Sequence, residues 1–127
     1  MSYGKDINTL FLADASLVAY CNGGIRYENL PKEFDLTKSW IAYSFRKNDQ
    51  TDCLNSKNAY TTYQITAKIV APDTNTMETI SDHLVEYFNG NSQGDIVDIW
   101  FTSDDHQVDL EKRIYMDSLN FDSFYVG

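Results

Sequence analysis

Residues 60 to 90 read YTTYQITAKIVAPDTNTMETISDHLVEYFNG, and this one stretch decides the fold. Its first half alternates with a period of two. Tyr63, Ile65, Ala67, Ile69 and Ala71 take one side, while Thr62, Gln64, Thr66 and Lys68 take the other. That is the pattern of a strand with one buried and one wetter face. Pro72 ends it, because proline has no N–H to give a ladder. The period then changes: Met77, Ile80, Leu84, Tyr87 and Phe88 recur at three- and four-residue steps and form one apolar stripe on a helix. Asn75 followed by Glu78 reads as a capping box, and Gly90 as the left-handed stop. A strand running straight into an amphipathic helix of about four turns predicts a helix lying across a sheet.

Working outward toward the N-terminus, residues 6–20 (DINTLFLADASLVAY) read as helix, with Asp6 capping the start and Ile7, Leu10, Phe11 and Leu12 on one face. Asp14, Ala15 and Ser16 break it into two, and Leu17 and Val18 continue the buried side. Asn22–Gly23–Gly24 is a turn into a short strand at Ile25–Arg26–Tyr27. Residues 32–38 form a polar connector anchored by Phe34 and Leu36. The strand SWIAYSFR (39–46) follows, with Ile41, Tyr43 and Phe45 facing opposite to Trp40, Ala42, Ser44 and Arg46.

Residues 47–58, KNDQTDCLNSKN, are the least apolar stretch, and about a dozen residues is long for a hairpin connection. They read either as a partner-binding arm, with Lys47, Asp49, Gln50, Asn55 and Lys57 as contacts, or as a hairpin tip. Beyond the organising unit, residues 96–102 make a strand in which Val97, Ile99 and Phe101 alternate against Asp98 and Trp100. Residues 103–110 read as an acidic loop, and the aromatic tail from 114 to 126 closes the sheet. The expected architecture is α+β: a single domain spanning 1–127, with a mostly antiparallel sheet of four to five strands, an N-terminal helix and one long helix packed on it.

Composition narrows the function classes. A hydrophobic content of 43% with 14% aromatics excludes a disordered tail. No apolar run approaches the roughly 20 residues that span a bilayer, so no membrane association is expected. The opening MSYGKDINTL lacks a charged-then-apolar signal pattern, so the protein is expected to stay in the compartment where it is made. Cys21 and Cys53 lie outside any CxxC and read as reduced thiols, with a Cys21–Cys53 disulfide as the lesser alternative. Nineteen acidic against ten basic residues give a net charge of −9, which argues against a duplex DNA reader. The surplus either keeps the surface solvated or lines a surface that nucleic acid passes without sticking.

Asp104, Asp105, His106 and Asp109 are the best metal-type cluster, but their spacing matches no calcium loop and a solvated acidic loop accounts for them. No metal ligand is assigned. His83 sits at the edge of the helical stripe. No phosphate loop, GxSxG or HExxH is present, so no catalytic residue, enzyme activity or cofactor is expected. Trp40 and Trp100 fall on the non-core faces of two strands. This reads as a second contact surface, because aromatics concentrate at interface hot spots. The other reading is a sheet covered on both faces within one chain.

The order of features resembles the small tail-completion, or tail-terminator, proteins of long-tailed bacteriophages over nearly the whole length. The resemblance rests on the opening apolar-faced helix, the short strand IRYENLP, the aromatic strand WIAYSF and its polar hairpin. It continues through the long strand YQITAKIVA, the helix closing as LVEYFNG, the last strands and the aromatic tail. The chain departs from commoner members in its high Tyr, Asn and Asp content. The resemblance implies a non-enzymatic virion component of the tail and neck, made in the host cytoplasm. Such a protein assembles as a ring of copies of itself, expected to be a hexamer, that caps the tail-tube protein and docks the head-side connector or stopper. DNA is then only passing cargo, and Asp104, Asp105 and Asp109 are expected to line its path. A head-tail stopper or adaptor, and a small monomeric protein-binding module, are the alternatives.

Overall fold

The computed structural model describes residues 2–50, 61–109 and 114–126, with the side chains of 48–50 and 109 outside that description. Two short helices open the chain, α1 (Tyr3–Ala13) and α2 (Ala15–Tyr20). They are followed by β1 (Gly24–Tyr27), β2 (Trp40–Gln50), β3 (Thr61–Ala71), α3 (Thr74–Phe88), β4 (Ile96–Asp109) and β5 (Ile114–Tyr125). The strands form one five-stranded sheet in the order β1-β2-β3-β5-β4. β1 runs parallel to β2, and the other neighbours are antiparallel. This is the α+β class that the residue pattern predicts.

The strand–helix unit forms as its alternation dictates. Ile65, Ala67, Ile69 and Ala71 are buried beneath α3, and Met77, Ile80, Leu84 and Phe88 are the buried stripe of that helix. Its cap differs from expectation: Asp73, not Asn75, accepts the Thr76 N–H at 2.7 Å and the Thr76 hydroxyl at 2.9 Å. A carboxylate directly after Pro72 reaches the orphan N–H groups two residues earlier than the predicted box. Gly90 has φ +80, the left-handed stop the sequence calls for. α1 begins earlier than predicted, with Ser2 as its cap, so Asp6 lies inside the helix and is buried. Asp14 breaks the helical run by capping α2, its carboxylate accepting from Ser16 and Leu17 N–H.

One core fills the space between the helices and one sheet face. Phe88 joins its halves, its ring centroid lying 4.7 Å from Phe11 on α1 and 5.2 Å from Phe121 on β5. Phe11 in turn stacks on Tyr43 of β2 at 4.3 Å. Ala67 on the central β3 is small enough to let the helices settle against the sheet. The C-terminal tail does more than close an edge. β5 is inserted between β3 and β4, with Ala67 opposite Leu119 on one side and Phe101 opposite Phe121 on the other.

Two features of the outer strands overturn the expected layout. β4 continues through residues 103–109, so Asp104, Asp105 and Asp109 lie on a paired strand rather than in a loop. β5 supplies a partner for every one of these positions, and Thr102, just before them, sits at a register irregularity between Phe101 and Ser103. A second irregularity between Ile96 and Asp98 turns Val97 outward, 49% exposed, although Ile99 is fully buried as expected.

Candidate assembly surface and acidic cluster

The sheet face turned away from the helices is covered at one end only. The parallel β1–β2 pair forces the intervening chain to cross over that face. Leu30 and Phe34 from the crossover pack with Met116 against a small second core of Trp40, Val70 and Ile114. Trp40 is 7% exposed, and its indole N–H donates to the Asp35 carbonyl at 3.0 Å. The expectation that Trp40 offers an open contact surface is therefore corrected, because the crossover segment occupies that surface within the chain itself. At this end the covered-sheet reading holds.

The other end stays open. Trp100 is half-buried on the outer face of β4, its ring centroid 4.8 Å from that of Phe124 on β5. Polar side chains continue the face inward, with Thr66 donating to Asn120 at 2.9 Å and Arg46 to Gln64 at 2.8 Å. Lys47 is exposed where β2 passes the end of the paired core and its register with β3 becomes irregular. Asp49 and Gln50 continue β2 as backbone only, and Asn55 and Lys57 lie outside the described residues. The polar arm is thus placed by its first residue alone.

The acidic residues do not form one patch. Strand alternation sends neighbours to opposite faces. Asp105, opposite Ser118, belongs to the outer face, whereas Asp104 and His106 turn toward α3. There they meet Asp117, which β5 places directly across from His106. Asp104 Oδ2 is 3.1 Å from His106 Nε2, and Asp117 Oδ1 is 3.5 Å from His106 Nδ1. The three lie in a groove of about 490 Å³ between α3 and β4–β5, with Glu78, Ser81 and Asp82 on its helical wall. The Ser81 hydroxyl donates to Asp117 Oδ2 at 2.7 Å, while Asp117 Oδ1 is buried with no hydrogen-bond partner among the described residues.

Burial pushes the Asp117 carboxyl above the usual carboxylate range. The Ser81 hydrogen bond and His106 oppose that rise, and Asp104 and Asp105 add to it. Asp117 is the residue that sequence reasoning missed. The available signal is an aspartate on the inward side of an alternation that continues as Leu119, Phe121, Ser123 and Tyr125. Asp109, the residue expected in its stead, pairs with Ile114 toward the far end of the hairpin.

Of the other reactive types, Cys53 lies outside the described residues, and Cys21 and His83 have structural surroundings. Cys21 is buried and free, and burial pushes its thiol up to about 12, so it carries no thiolate at neutral pH. His83 contacts Asp14 rather than a nucleophile.

No protein-family model matches the chain, and no curated protein matches it. Among solved structures, the fold is similar to a chain of "Virion of native gene transfer agent (GTA) particle", with a TM-score of 0.76 at 15% identity. The likeness covers 99% of this chain and 96% of that one, so the two share the fold from end to end.

Proposed function

We propose that this chain is a structural virion protein that closes as a ring on the end of a phage-type tail tube and joins it to the head-side connector. The observation that carries this reading is the end-to-end fold likeness to a chain of a gene transfer agent virion particle. The resemblance in element order to tail-terminator proteins points the same way and adds the position at the neck. No enzymatic activity is part of the proposal.

Two surfaces of the chain support the ring reading. Cyclic assembly beyond a dimer joins two unlike surfaces of each subunit. The Trp100–Phe124 end of the outer face is one such surface, and the exposed stretch of β2 at Lys47 is the other. Asp105, opposite Ser118 and away from the Trp100–Phe124 pair, lies on the outer face of β4, and its charge repels a passing phosphate backbone. In this arrangement Asp105, rather than the whole Asp104–Asp109 segment, faces the DNA.

Native mass measurement and negative-stain imaging, with the protein alone and mixed with short tail-tube assemblies, test the proposal. Rings, or density capping one end of a tube, are expected. A monomer that leaves tube ends bare would overturn the ring and favour a monomeric binding module acting through the same Trp100 surface. Binding to the connector but not to tubes would instead favour the stopper or adaptor.

A further inference from the structure

We propose that Asp104, His106 and Asp117 form a binding site for a divalent first-row transition ion. One ligand atom from each residue can be chosen so that all three lie within 4.8 Å of one another. Two carboxylates and an imidazole are a donor set suited to zinc or manganese, and the all-oxygen cages of calcium differ from it.

The independent observation is the state of Asp117. Its side chain is 2% exposed, and among the described residues Oδ1 has no hydrogen-bond partner although it is aimed at His106 and Asp104. A buried carboxylate oxygen without a donor is costly, and such groups are normally paired or bound to metal. His106 Nδ1, at 3.5 Å, is too far to hydrogen-bond it well. Meanwhile Ser81 holds the other oxygen at 2.7 Å. One oxygen anchored by a second residue and the other left open is how a ligating carboxylate is oriented.

The outer members supply the closure. His106 and Asp104 have side chains 57% and 42% exposed, so both can rotate to bring their donors to metal-bond length, about 2.0–2.2 Å for zinc. Three protein ligands leave a fourth position facing the groove, where Glu78 and Asp82 stand on α3. An ion there would screen the carboxylates from one another and tie the outer part of β4 to β5. The site is independent of the proposed ring.

The test uses full-length, tag-free protein stripped with a chelator and titrated calorimetrically with Zn²⁺, Mn²⁺ and Ca²⁺. One Zn²⁺ per chain is expected, bound more tightly than Mn²⁺, with Ca²⁺ weaker than Zn²⁺ by about tenfold or more. His106→Ala and Asp117→Asn should abolish saturable uptake. Ser81→Ala should weaken it about 10- to 100-fold, the size typical of lost outer-shell support. Asp105→Asn changes net charge as Asp117→Asn does but should bind as the parent protein does. Absence of saturable one-per-chain binding overturns the site, as does binding that survives His106→Ala. Equal losses from Asp105→Asn and Asp117→Asn would also overturn it, by reducing the effect to net charge. Should Asp117→Asn fail to fold, the exposed His106→Ala decides.

Discussion

His83 Nε2 on α3 lies 2.7 Å from Asp14 Oδ2, and the other oxygen of that carboxylate caps α2. One side chain thus ends one helix, starts the next and ties both to the long helix across the sheet. Burial would raise the Asp14 pKa, but the hydrogen bonds from His83, Leu17 and Ser16 outweigh it and hold the carboxyl below its ordinary value. A carboxyl held low in the folded state contributes stability above the unfolded pKa and loses it as pH falls through the folded one.

Asp14→Ala should therefore destabilise the protein by about 1–2 kcal/mol at neutral pH, the range of a lost helix cap. Asp14→Asn keeps a cap and removes the charge, so it should cost less. Denaturant melts from pH 7 down to about pH 3 check both, since the parent's advantage over either variant should fade below about pH 4. A constant difference across that range would show that the carboxylate charge is irrelevant.

Gly94 tests the anchoring of α1. Its φ is +57, and a Cβ added there would stand 2.5 Å from the Asp6 carboxylate, which accepts the Asp95 N–H at 3.2 Å. Gly94→Ala would combine left-handed strain with displacement of a buried acid, a loss of about 2 kcal/mol or more. A fall in Tm of about 6–12 °C is expected by scanning calorimetry.

The two tryptophans should separate cleanly. Trp40→Ala opens a cavity beneath the crossover and should destabilise by about 3 kcal/mol. Trp100→Ala removes a half-buried ring and should cost about 1 kcal/mol or less. On the ring reading, Trp100→Ala should nonetheless abolish tube capping in negative stain. Equal stability losses would place Trp100 in the core.

Asp117 should respond to pH in the opposite sense to Asp14. Its folded pKa is raised, chiefly by burial, so the folded state holds the proton more tightly than the unfolded chain does. Stability is then full below the unfolded pKa and declines as pH rises through the folded one. His106, Asp104, Asp105, Glu78 and Asp82 surround it and set the local field. In metal-free protein, Asp117→Asn should stabilise at pH 7 and make little difference near pH 3, as read from Tm against pH. Destabilisation at both pH values would assign Asp117 a purely structural hydrogen-bonding role.

Local order alone determined much of this protein. The alternation of 61–71, the stripe of 77–88, the break at Asp14 and the stop at Gly90 are short-range consequences of backbone geometry and burial, so they are legible residue by residue. Alternation names a face but never a neighbour. That the last strand enters between β3 and β4 depends on pairing between distant segments, and that choice sets His106 opposite Asp117. Residues 28–39 covering Trp40 follows likewise from a parallel β1–β2 pair that the short strand at 24–27 does not announce. Long-range register, displaced at two irregularities in β4, decided which acids meet at α3 and which tryptophan stays open. Only the tertiary structure holds that information, because shifting a strand by one residue exchanges its faces without altering its pattern.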